Sequence, residues 1–252
     1  MTAPMLDQPR TVHVEPCMGT VFSFDIRDEG AWEEAIGEAV AWLHQVDAVF
    51  STYKPESDIS RLRRGELAVA DADPTVAEVL ALCEAVESET AGYFTAWWDG
   101  DIDPTGLVKG WAIERASFVL RAHGSQNHAV NGGGDVQLAG ESAPGEPWRV
   151  GISDPFDRAR VLTVVTGRDF AVATSGTTER GLHVINPVGG GPAVELAAAT
   201  VAGPWLTHAD AYATAVLAMG SSGLGWIAGM PGHEALLVSA DGAVSSTPAW
   251  AA

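Results

Sequence analysis

Apolar and polar positions alternate along Val12 to Ile26 as in strands, with a break at Pro16 to Gly19. From Ala31 to Phe50 the period changes. Ile36, Val40, Leu43 and Phe50 share one face of a helix that must end before Pro55. Asp73-Pro74 offers an N-cap and a first-turn proline for a second helix, carried inward by Val76, Val79, Leu80, Cys83 and Val86 and closed by Gly92. A third helix starts near Leu107, buries Val108, Ala112, Ala116, Val119 and Leu120, and ends at His123-Gly124. Between Ala129 and Val201 the pattern becomes short β segments: Asp135 to Leu138, Trp148 to Ile152, Val161 to Thr166 and Ala171 to Ala173. A fourth helix, Ala209 to Met219, follows Thr207 as cap. The hairpin signal Asp241-Gly242 joins Ala235 to Ser239 with Ala243 to Ser245.

That order predicts an α+β fold with antiparallel pairing, not a regular βαβ alternation. Residues 1–11 read as a flexible N-terminal segment and 12–252 as one domain. No stretch reaches 18 uninterrupted apolar residues and no apolar leader core precedes the first strand, so no membrane insertion and a cytoplasmic location are expected.

Composition narrows the partners. The 252 residues carry 33 Asp+Glu against 14 Lys+Arg, a formal charge of −19. Such an acidic chain lacks the basic face that nucleic acid or an anionic membrane requires. Hydrophobic residues at 46% support a large core. Cys17 and Cys83 belong to no zinc or disulfide pattern, and Cys83 reads as a small buried hydrophobe. Among the cations only Lys54 and Lys109 are lysines.

Four segments could carry chemistry. Asp103-Pro104-Thr105-Gly106-Leu107-Val108-Lys109-Gly110 leads into a helix, whose N-terminus favours anions. Lys109 in that first turn opposes the helix dipole, so it is either an ordinary surface lysine or one that meets an anion. Asn131-Gly132-Gly133-Gly134-Asp135 allows close backbone approach or a plain glycine hairpin, and lacks the dinucleotide fingerprint. Thr174-Ser175-Gly176 with His183-Val184-Ile185-Asn186-Pro187 has no nucleophile elbow. Asp210 and Thr214, four apart on a helix, present a carboxylate and a hydroxyl that suit a hard cation; the plainer alternative is a capped helix with Asp210 complementing its dipole.

Together with Met18-Gly19-Thr20 and Ser51-Thr52-Tyr53-Lys54-Pro55, these segments resemble the ApbE family, flavin transferases that act as FAD:protein FMN transferases. The ordered set spans roughly residues 12 to 220. The resemblance implies a T-fold-like α+β architecture with mixed or antiparallel sheets and flanking helices. It implies Mg²⁺-dependent transfer of the FMN part of FAD to a Thr or Ser hydroxyl of a target flavoprotein, with AMP released. FAD pyrophosphatase activity and non-catalytic FAD binding are the alternatives. By the same resemblance Gly106, Asp210 and Thr214 hold the metal, and Met18, Tyr53, Tyr93, Phe94, Thr95, Asp103, Lys109 and Ile185 contact FAD. His183 and Asp210 are then the catalytic pair, His183 as base. Thr95 replaces the family's usual Asp, as Asn186 does before Pro187.

Overall fold

In a computed structural model, residues 10–177 and 184–250 are described. Two hairpin strands, β1 (Thr11–Cys17) and β2 (Thr20–Ile26), precede the helix α1 (Glu33–Phe50), the short α2 (Asp58–Arg63) and α3 (Pro74–Glu89). A two-stranded ribbon, β3 (Trp97–Trp98) and β4 (Asp101–Ile102), leads into α4 (Thr105–Ala122). Then come β5 (His128–Gly132), β6 (Asp135–Ala139), β7 (Trp148–Ser153), β8 (Val161–Gly167), β9 (Ala171–Gly176) and β10 (Leu196–Gly203). Helices α5 (Leu206–Met219) and α6 (Gly223–Ile227) precede β11 (Glu234–Ser239) and β12 (Val244–Ser246).

Eight strands form one sheet in the order β1-β2-β5-β6-β9-β10-β11-β12, and every pairing in it is antiparallel. The expected α+β class with flanking helices holds. Side chains that alternate along the strands feed two cores, one on each face. Ala171, Ala173, Ala199, Val201, Ala235 and Leu237 face the helices. Their neighbours Val172, Ala198, Leu236 and Val238 face the other way, onto Trp148 and Ile152 of the β7–β8 ribbon. The layers are therefore helices, sheet and ribbon.

Local chemistry explains the boundaries. Asp73 caps α3 by accepting from Thr75 N–H at 2.9 Å, and Pro74 occupies the first turn. Gly92, at φ +84°, donates to Glu87 O at 2.8 Å and closes the helix. Pro16 lies inside β1; the chain turns at Met18 and Gly19, both with positive φ (51° and 68°), which a tight two-residue hairpin requires. One expectation is corrected. Helix α5 starts at Leu206, so Thr207 is inside it and is no cap. Its first amides are held from outside instead: Leu206 N–H by Gln137 Oε1 and Thr207 N–H by Glu114 Oε2, both at 2.9 Å.

Both cysteines are buried free thiols, and burial pushes Cys83 up to about 12. His128 is fully buried between Ser117 Oγ and Ser125 Oγ, each 2.8 Å from a ring nitrogen. Burial, reinforced by Arg121, lowers its pKa to about 4. A depressed histidine contributes stability above its unfolded pKa and loses it as the pH falls toward the folded value. Between pH 7.5 and 5 this group alone should remove about 2 kcal/mol. Urea unfolding at both pH values measures it. His128→Gln should flatten that slope, and an unchanged slope would contradict the assignment.

Candidate active site

The strand ends of β5, β6 and β9 meet the starts of α4 and α5 at a cleft of about 1000 Å³. Asp135 and Asp210 lie at its floor, 1% and 3% exposed. Asp135 sits directly after the β5–β6 turn, where Gly133 and Gly134 take positive φ (62° and 97°). A Cβ on Gly133 would stand 3.0 Å from Thr20 Oγ1, so the two hairpin tips are in contact. Asp135 Oδ1 accepts from Thr174 N–H at 2.8 Å, and the Lys109 ammonium rests against Oδ2. The same ammonium is 3.6 Å from Asp210 Oδ1. One cation thus stands between two buried carboxylates.

Asp210 reaches this point because α4 and α5 nearly touch at Gly110. The Gly110 N–H, the amide whose place in the helix faces the Gly106 carbonyl, donates to Asp210 Oδ2 at 2.9 Å. The Asp210 carboxylate therefore turns toward α4, not toward the start of its own helix. Burial raises its pKa; Lys109 opposes the rise and Asp135 adds to it. Thr214, one turn on, places Oγ1 3.2 Å from Asp210 O and 3.1 Å from Ser175 Oγ. A Cβ on Gly106 would lie 3.7 Å from Thr214 Oγ1 and 3.2 Å from the Phe94 ring. The side-chain oxygens that meet here are carboxylate and hydroxyl groups, with the Gly106 backbone beside Thr214, and oxygen donors are what hard divalent cations prefer. A second positive charge beside Asp210 would also balance the carboxylate that Lys109 alone leaves over. Among the described residues no three His, Cys, Asp or Glu side chains are placed to hold a metal by themselves.

Of the residues singled out in the sequence, Tyr93, Phe94, Thr95, Asp103, Gly106, Lys109, Ile185, Asp210 and Thr214 line the cleft. Met18 packs on the helical core, and Tyr53 is 94% exposed; neither lines it. His183 lies outside the described residues. Lys54 makes an exposed ion pair with Asp47 at 2.6 Å, so the two lysines have unlike surroundings. Sequence reasoning assigned no role to Asp135, although its place after three glycines was a signal. It also passed over Arg63, Trp98, Asp154 and Arg158, which line the cleft from segments without a motif. The Ser175 hydroxyl pairs with Thr214 Oγ1, a role that its residue type alone does not suggest.

An antiparallel α+β fold that gathers buried acids, hydroxyls and a lysine at a helix start defines an oxygen-lined, polar cleft of the kind that handles anions through cations. The family follows from comparison. The model of the ApbE family matches residues 18–99 and 98–237, and the chain belongs to that family. A Rhodobacter capsulatus protein named FAD:protein FMN transferase is 29% identical over 232 residues, 88% of this chain and 42% of the relative. A Haemophilus influenzae protein of the same name is 24% identical, covering 81% of this chain and 79% of its own. The chain spans less than half the length of the R. capsulatus relative. The fold matches Pseudomonas stutzeri flavinyl transferase ApbE with a TM-score of 0.82 at 22% identity, over 98% of each chain. The Vibrio cholerae flavin transferase ApbE gives 0.80 at 20%, over 96% of this chain and 99% of the other.

Proposed function

We propose that the protein transfers the FMN part of FAD to a Thr or Ser hydroxyl of a target flavoprotein and releases AMP. The observation that carries this reading is the pair of buried acids, Asp135 and Asp210, sharing Lys109 beside the Thr214 and Ser175 hydroxyls. The names of the family relatives support it.

Asp210, Thr214 and the Gly106 carbonyl would hold Mg²⁺. When bound, the metal draws charge from the pyrophosphate of FAD. Lys109 keeps the two carboxylates from repelling the phosphates. Tyr93 and Ile185 offer apolar surface to a flat ring. The acceptor oxygen forms a bond to the FMN-side phosphorus, the bond from that phosphorus to the bridging oxygen breaks, and AMP leaves with the electron pair. The hydroxyl proton passes to a base, the role assigned to His183 by family resemblance. We place the reaction in the cytoplasm, where free thiols such as Cys17 and Cys83 persist. No helix among the described residues is long and apolar enough to cross a membrane.

The test is incubation with FAD, Mg²⁺ and a candidate acceptor protein. A covalent FMN mass on the acceptor and one AMP per label are expected, and a chelator should stop both. Free FMN and AMP without a label would point to hydrolysis. Intact, bound FAD would point to binding alone.

A further inference from the structure

Arg63 ends α2, a six-residue helix seated firmly for its length. Ile59 is fully buried, Ser57 caps the helix by accepting from Ser60 N–H at 3.1 Å, and Ser57 Oγ donates to Ser51 O at 2.6 Å. From this base the guanidinium reaches across the cleft wall to three consecutive residues. Nε donates to Ile102 O at 2.6 Å and lies 3.2 Å from Asp101 Oδ1, and Nη2 is 3.2 Å from Asp103 Oδ2. Asp103 is the link to the site. Its other oxygen accepts from Thr105 N–H at 3.0 Å, the first amide of α4, and its own N–H donates to Ala96 O at 2.7 Å. Helix α4 has no side-chain cap of its own on Pro104. Its first turn, which carries Gly106 and leads to Lys109, is thus held by Asp103, and Asp103 is held by Arg63.

We infer that Arg63 is a positioning residue that fixes the start of α4 in the cleft wall and thereby sets the grip on FAD and on the cation. The inference rests on the flavin-transfer reading above and names the device that keeps its site in shape. Two physical effects combine. A planar guanidinium can meet a carbonyl and two carboxylates in one geometry, which a lysine cannot. It also neutralises Asp101 and Asp103, two acids at the rim of a cleft that must admit a pyrophosphate. Arg63 touches no reacting atom in this scheme. Its loss should therefore weaken binding and leave the chemistry of the filled site intact.

Arg63→Ala and Arg63→Lys test this. FAD affinity is read by flavin fluorescence without acceptor, and half-saturating Mg²⁺, KM, kcat and melting temperature are measured beside it. In Arg63→Ala the Kd for FAD and the half-saturating Mg²⁺ should each rise about tenfold. The kcat at saturation should stay within about twofold. Arg63→Lys should recover only part of the loss. Adding Arg63→Ala to Asp103→Ala should change FAD affinity by less than about twofold further, because both break one link. A lower melting temperature with unchanged FAD and Mg²⁺ affinities would overturn the inference, as would a fall in kcat with unchanged Kd. If the unaltered protein binds FAD but never turns it over, the transfer reading fails and the fluorescence result still judges Arg63. If it turns over and Arg63→Ala behaves identically, the inference about Arg63 alone fails.

Discussion

Asp210→Asn should keep the fold and lower the proposed FMN transfer by at least about a thousandfold. The substitution conserves shape. An amide oxygen can still accept from Gly110 N–H, which Asp210 Oδ2 meets at 2.9 Å. What disappears is a negative charge that burial already disfavours. Removing a buried, incompletely balanced carboxylate while leaving its hydrogen-bond partner satisfied does not destabilise a core. The melting temperature without metal should therefore equal or exceed that of the unaltered protein. The rise in melting temperature on adding Mg²⁺, which measures linkage to metal binding, should vanish. Transfer at a comparable rate with the Mg²⁺ effect retained would remove Asp210 from the proposed metal site.

Gly110→Ala should damage both fold and activity. A methyl group there would lie 2.6 Å from Leu206 O and 2.7 Å from Asp210 Cβ. A backbone carbonyl cannot swing away, so α4 and α5 must part. Overpacking of this kind costs about 1–3 kcal/mol, set against about 1 kcal/mol that alanine offers a helix. The displacement also moves Asp210, and a shift near 1 Å can cost about a hundredfold in rate. Gly37→Ala is the control. Gly37 lies in α1, exposed, with nothing within 4 Å of an added Cβ, and there the same change should stabilise slightly. Urea unfolding and transfer rates of the two variants compare directly. A Gly110→Ala protein as stable and active as the parent would refute the close crossing.

The long elements were legible because their periodicity is local. Val76, Val79, Leu80, Cys83 and Val86 marked α3, and Asp73-Pro74 marked its start. Short elements were not: α2 has one fully buried side chain, Ile59, and the β3–β4 ribbon has two residues per strand. The start of α5 was missed because its amides are held by Gln137 and Glu114, partners remote in sequence. The site divides in the same way. Lys109, Asp210 and Thr214 stood in motifs whose residue types suggest their chemistry. Arg63 stood in none, since its role depends on where α2 is seated relative to residues 101–103. Tyr53 shows the reverse: it belongs to a recognisable motif, yet its side chain stands in solvent outside the cleft.

The strand order has a kinetic side. Each strand of the large sheet pairs with the strand nearest to it in chain order, and the helices and the ribbon are insertions between such neighbours. A chain emerging from the ribosome can add strands at one growing edge, but the steps are unequal: β1–β2 and β5–β6 close short turns, whereas β2 waits for β5, with Ile26 and its partner His128 more than 100 residues apart. The contacts that complete the cleft are of the same long range. Gly110 and Asp210 are 100 residues apart, and Thr174 reaches back 39 residues to Asp135. Closure entropy and contact order fall on these pairs as they do on β2–β5. The β1–β2 hairpin can therefore exist well before the floor of the cleft does, because that floor needs α5 against α4 and β9 beside β6.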